Sequence, residues 1–180
     1  MTATDLTANF YELFQLPISF EVDLNDLSDR YRRLQSSIHP DKFANAGDLE
    51  RRLSVQQSAR INDAFQTLRN PLRRARYILQ LNGIDLDSDT DTGMDTQFLM
   101  QQMELREALE AVKSSANPAK DLNTINNDID MTIAGIIQDL KSLFAAGTAQ
   151  DLSAARDGVR RLQFMTRLQE ETQNLEETLF

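Results

Sequence analysis

The sequence has no cysteine and a single histidine. The first absence removes disulfides, thiolate metal sites and a cysteine nucleophile; the second leaves no pair for a zinc or haem site. Six glycines and four prolines in 180 residues are too few for the turns that an all-β fold consumes. No apolar run approaches the roughly 18 residues of a membrane span. Met1 to Phe20 has neither a basic residue nor a continuous apolar stretch, so it does not resemble a targeting peptide, and a cytoplasmic location is expected. Positive charge is also scarce. The net charge is −9, with an isoelectric point near 4.6, against bulk binding to nucleic acid or an anionic membrane. That charge is uneven: residues 1–82 carry 11 Lys/Arg against 10 Asp/Glu, and residues 83–180 carry 8 against 18.

What is present is helical periodicity. Phe10, Leu13 and Phe14 make a short apolar turn that stops at Pro17. Leu24, Leu27, Tyr31, Leu34 and Ile38 recur at steps of three and four, one stripe along a helix that ends at His39-Pro40. Asp48 is placed to cap the next helix, which carries Leu49, Leu53, Ile61, Ala64, Phe65 and Leu68. Asn70-Pro71 restarts the chain into a shorter helix with Ala75, Ile78, Leu79 and Leu81, closed by Gly83.

Residues 85–96 are polar, acidic and aperiodic, which marks a hinge. Their alternating Asp residues suggest a calcium loop, but the required Gly at position six and Glu at position twelve are missing in every register. Three further helices follow, from about Thr96, Ala119 and Ala149. The breaks at Asn117-Pro118 and Gly147 make them consecutive antiparallel neighbours. The expectation is an all-α chain: residues 1–83, a hinge over 84–97, and a three-helix bundle over 98–180.

Two features go beyond packing. His39-Pro40-Asp41, followed by Lys42-Phe43, lies between two helices able to form a hairpin. His39 has no second histidine to pair with and the chain has no cysteine, so acid–base catalysis with Asp41 lacks further site residues. From the tripeptide alone a capping turn is an equal reading. Arg32 and Arg33 precede it on the same helix and are either a docking face or a solvated one. The other feature is a helix with two apolar faces. At about 100° per residue, Leu105, Leu109 and Val112 fall within about 40° of Phe98, a normal core stripe. Leu99, Met100 and Met103 fall on the other side, flanked by Glu104, Arg106 and Glu107. That second face either packs within the protein or receives a partner, for which adaptable methionine suits.

The segments Phe10–Phe14, Tyr31–Leu34, His39–Lys42 and Ile61–Leu68 together resemble a J-domain in order and spacing. The resemblance implies that His39, Pro40 and Asp41, with Arg32 and Arg33, engage a DnaK-type chaperone and stimulate its ATP hydrolysis. Many J-domains have Lys-Tyr before the histidine; here Ser37-Ile38 keeps the apolar stripe and removes one positive charge. Gln57–Asn62, Asn70–Ala75 and Phe98–Glu107 extend the likeness over nearly the whole chain to the HscB family, the J-domain co-chaperones of bacterial iron–sulfur cluster assembly. That resemblance implies two partners, the chaperone HscA and the scaffold protein IscU. It places IscU on Leu99, Met100, Met103, Glu104, Arg106 and Glu107, with Phe164 from the last helix. Where the family can have an arginine four residues before Phe98, this chain has Met94. Relatives that carry zinc on N-terminal cysteines are a different type. No cofactor, resident metal or catalytic residue is expected, nor any contact with nucleic acid or membrane. A J-domain co-chaperone with another client, and a structural dimer through the Leu99/Met103 face, remain alternatives at this stage.

Overall fold

The computed structural model describes residues 8–38, 47–86 and 96–179, Gln97 by its backbone alone. Among them are seven helices and no strand: α1 Phe10–Leu13, α2 Leu24–Ile38, α3 Asp48–Arg69, α4 Pro71–Leu81, α5 Thr96–Val112, α6 Pro118–Ala146 and α7 Ala149–Leu179. The all-α class is therefore as expected. The chain divides into two compact units, Met1–Leu81 and Asn82–Phe180.

Short polar side chains start most of these helices by satisfying backbone N–H groups that have no partner within the helix. The Asn9 carboxamide oxygen accepts from the Tyr11 and Glu12 N–H groups at 2.9 Å, and the Glu12 carboxylate accepts from the Asn9 N–H at 2.8 Å. Asp23 does the same for α2, accepting from Asn25 at 2.8 Å and Asp26 at 3.2 Å. Asn70 accepts from Arg73 at 2.9 Å ahead of α4, and Thr148 exchanges bonds with Asp151 ahead of α7. At α3 the sequence reading needs correction. Gly47 is the N-cap with no side-chain bond, and Asp48 is the first helical residue, where its charge still favours the positive end of the helix dipole. Gly147 ends α6 in the left-handed conformation (φ 66°), its N–H returning to the Leu143 carbonyl at 2.9 Å.

In the first unit α2 and α3 form an antiparallel hairpin. Tyr31 stacks on Phe65 with ring centroids 4.2 Å apart, and its hydroxyl donates to Asn62 Oδ1 at 2.9 Å. Gln35 donates to the same oxygen and accepts from the Ser58 hydroxyl at 3.3 Å. These pairs fix the register. Continued along that register, Ile38 falls opposite about residues 55–59, so the first turns of α3, which begins at Asp48, extend past the end of α2. That projection explains a second correction: Leu49 and Leu53, read as part of the apolar stripe, are 71% and 41% exposed. Leu24, at the opposite end of α2, is exposed as well. Among the described residues, the unit's buried apolar side chains are Tyr11, Leu13, Phe14, Phe20, Leu27, Ile38, Ile61, Ala64, Leu68, Ala75, Ile78 and Leu79, joined by the polar Ser54 and Arg74. Tyr11 is fully buried and donates its hydroxyl to the Ser19 carbonyl at 2.8 Å; burial pushes its ionisation well above the ordinary tyrosine range.

In the second unit α6 and α7 are long neighbours of 29 and 31 residues, while α5 has 17. At 1.5 Å per residue α5 spans about 25 Å and lies along only part of α6. Over that length Val112, Leu122, Ile125, Ile129, Met165 and Leu168 form a closed core, with Leu105, Leu109 and Phe164 packed against it. Beyond it, buried Leu140, Ala155 and Val159 continue the α6–α7 contact.

The two glycines within these helices sit in opposite environments. A Cβ at Gly135 would meet nothing within 4 Å, whereas one at Gly158 would lie 3.0 Å from Leu140 Cδ2, on a fully buried side chain. Gly135→Ala should therefore raise the unfolding free energy by about 1 kcal/mol through helix propensity. For Gly158→Ala, overpacking against Leu140 should cancel that gain or reverse it. Urea unfolding of both variants checks this; equal stabilisation by the two would contradict the close α6–α7 approach.

Candidate functional site

On the hairpin, the basic residues of α2 divide into two kinds. Arg30 is committed to structure: its Nε lies 2.9 Å from Asp26 Oδ2, and its Nη1 donates to the carbonyls of Phe14 and Gln15 at 3.0 and 3.1 Å. Those carbonyls belong to the turn that ends α1. There Gln15 takes a positive φ of 53°, with Leu16 N–H bonded to the Tyr11 carbonyl and Gln15 N–H to that of Glu12. This 6→1 and 5→2 pattern normally uses glycine, and Arg30 ties the strained turn to α2. Arg32 and Arg33 are exposed instead. Arg32 lies 3.7 Å from Asp29, with both side chains mostly in solvent, a pairing that restrains it little. Their helix ends at Ile38, immediately before the expected His39-Pro40-Asp41 loop, which lies outside the described residues.

On the bundle, α5 divides as its sequence suggests. Phe98 and Val112 are buried and Leu105 and Leu109 half-buried against the core. On the other side Leu99, Met100 and Met103 are 38%, 59% and 64% exposed, and Glu104, Arg106 and Glu107 are exposed around them. Phe164, which the helical projection sets off the Leu162 stripe of α7, is half-buried and meets α5 directly. Its ring lies edge-on to Phe98, 5.7 Å between centroids at 84°, and the Arg106 guanidinium carbon sits 5.6 Å from its centroid. Arg106 and Phe164 are thus brought together with the α5 face. Arg161 extends the same cluster over Phe98 at 5.4 Å. Sequence reading misses Arg161, because nothing in α7 alone announces that its Arg161/Phe164 edge faces Phe98.

Met94 lies outside the described residues, as does most of the acidic hinge. Among the described residues no three His, Cys, Asp or Glu side chains converge to hold a metal ion, and no helix is long and apolar enough to cross a membrane.

A helical hairpin with this register, joined in one chain to a bundle with an uncovered apolar face, has the build of a J-domain co-chaperone. Comparison with known proteins carries that class to a family. Residues 94–173 match the family model described as the HSCB C-terminal oligomerisation domain. The co-chaperone protein HscB homolog of Shewanella halifaxensis is 45% identical over 96% of this chain and 99% of its own length; that of Shewanella pealeana is 46% identical over 95% and 98%. Among solved structures, the chaperone HscB from Vibrio cholerae superposes with a TM-score of 0.85 at 41% identity, covering 96% of this chain and all of that one. Human co-chaperone protein HscB gives 0.87 at 29% identity, covering 97% and 85%. The chain belongs to the HscB co-chaperone family.

The exposure pattern predicts how stability responds. Leu99→Ala, Met100→Ala and Met103→Ala should each change the unfolding free energy by no more than about 0.5 kcal/mol, as surface substitutions do. Phe98→Ala, one residue away, should cost about 3–5 kcal/mol by emptying a core position. Chemical denaturation distinguishes the faces; a large loss from the methionine substitutions would mean that this face is packed.

Proposed function

We propose that this chain is an adaptor that performs no chemistry of its own. It stimulates ATP hydrolysis by the DnaK-type chaperone HscA and delivers to it the iron–sulfur scaffold protein IscU, promoting cluster transfer in the cytoplasm. Residues 1–83 act on the chaperone, residues 84–97 form the hinge, and residues 98–180 hold the scaffold. The observation that carries this reading is the bare Leu99–Met103 face on a helix whose opposite side is already buried, in a chain of the HscB family.

The chaperone-directed half works by selective binding. His39, Pro40 and Asp41 engage the hydrolysis-competent conformation of HscA better than the alternative, so the population shifts by that difference in affinity. Arg32 and Arg33 speed encounter and set orientation in a salt-dependent manner. On the bundle, Leu99, Met100 and Met103 form the apolar centre of the scaffold contact. Glu104, Arg106 and Glu107 form its charged rim, and Phe164 backs the rim by holding Arg106. Three side chains gaining about 1.5–3 kcal/mol each on burial supply about 4.5–9 kcal/mol before association costs, so micromolar affinity, about 8 kcal/mol, is the most that this face alone can reach. Such binding is weak alone. Carrying both contacts on one chain raises the scaffold's effective concentration at the chaperone.

Calorimetric titration of IscU should show binding by the wild-type chain and none measurable by a folded Leu99→Ala/Met100→Ala/Met103→Ala variant. Absence of wild-type binding would leave an activator with a different client, and concentration-dependent dimerisation through the face would make it a self-association surface. Independently, Asp41→Asn should abolish stimulation of the HscA ATPase while the helical circular dichroism stays unchanged. Full stimulation by that variant would remove the tripeptide from the mechanism.

A further inference from the structure

With no cysteine in the chain, methionine is the only sulfur available for reversible oxidation. Six methionines are present, and the four with described side chains occupy contrasting sites. Met165 is fully buried in the bundle core, Met131 is 68% exposed on α6, and Met100 and Met103 are 59% and 64% exposed on α5. Met100 and Met103 lie three residues apart and so stand side by side on the helix surface. Two of the three exposed methionines described therefore fall within one apolar patch, where each is more exposed than Leu99. Oxidation of methionine follows access to the sulfur.

We propose that Met100 and Met103 are a reversible oxidation site that switches off the apolar face of α5. This rests on reading that face as the scaffold site. The co-reactant is a hydroperoxide. Its O–O bond breaks, one oxygen bonds to the thioether sulfur, and the other leaves as water or an alcohol. The sulfur gives up two electrons and the peroxide takes them. The product is a sulfoxide, whose polar S–O group must be desolvated to enter an apolar contact. Met131 oxidises equally readily, but stands on a different helix and leaves the face unchanged. Met165 stays reduced while the core is closed.

The test uses the full chain treated with hydrogen peroxide, with peptide mass mapping of each methionine and calorimetric titration of IscU. Met100, Met103 and Met131 should gain one oxygen each and Met165 none. Scaffold affinity should then fall at least about tenfold, since each apolar side chain contributes more than that factor when buried. Methionine sulfoxide reductases should restore it. A Met100→Leu/Met103→Leu chain keeps the face apolar and should bind IscU equally before and after peroxide. Unchanged binding by wild type with both sulfoxides present would overturn the switch, as would an equal loss in the double-leucine chain. Failure of the untreated wild type to bind IscU is a separate result, removing the scaffold reading and the switch with it.

Discussion

The edge-to-face contact between Phe98 and Phe164, 5.7 Å between centroids, is the constraint on which the bundle's exposed face depends. A helix with apolar residues on two sides has no intrinsic preference for which side to bury. For α5 the choice is decided by size and geometry. Phe98 offers an aromatic ring that fits the α7 edge, and Val112 closes the far end of the stripe against α6. Burial of both ends fixes the rotation of α5, and that rotation turns Leu99, Met100 and Met103 outward. Arg106 and Arg161 reinforce the choice, each resting over one of the two rings. Charged side chains lying on aromatic faces keep their ionic ends hydrated while covering apolar carbon, so the cluster is held without burying charge.

The hairpin shows a related economy in polar bonds. Asn62 presents a single carboxamide oxygen, which accepts from both Tyr31 and Gln35 of α2. Directional bonds of this kind define register more sharply than apolar contact, because a shift by one residue leaves polar groups unpaired. Arg30 performs the comparable task at the end of α1, holding the carbonyls of a turn in which Gln15 occupies a backbone region usually reserved for glycine. Spending Arg30 on that turn separates it from its neighbours in the basic run. Arg32 and Arg33 extend into solvent, one turn or so before the end of α2.

Helix positions were legible because four prolines and two left-handed glycines fall where helices stop or start, and because capping side chains such as Asn9, Asn70 and Thr148 act within three residues of themselves. The two-sided character of α5 was equally local, needing only the helical repeat. What sequence could not supply was register between helices. Leu24, Leu49 and Leu53 are apolar residues at helical spacing, yet they lie at the ends of the hairpin and stay exposed. Phe164 shows the converse: a projection from α7 alone sets it off the local stripe, and only the approach of α5 reveals its role. Arg161 was invisible for the same reason. Asp48 illustrates a smaller failure, since a residue able to cap and a residue favoured in the first turn share the same chemistry.

The proposed division of labour also explains why neither contact needs to be strong. In the proposed contact, a face of three apolar side chains ringed by charge would bind weakly and release quickly, whereas a larger patch would risk self-association of the free chain. Delivery requires release: an adaptor that held its scaffold tightly would compete with the chaperone for it. Selectivity must then come from requiring two weak contacts at once, with the charged rim rejecting poorly matched surfaces. Building the face from methionine suits that compromise, because an unbranched thioether adapts to an irregular partner without a fixed shape. The same choice leaves the sulfur open to oxidants whenever the partner is absent. Leucine at positions 100 and 103 would keep the hydrophobicity and remove that sensitivity, at the cost of adaptability. Methionine at both positions therefore couples the strength of the contact to the redox state of its surroundings.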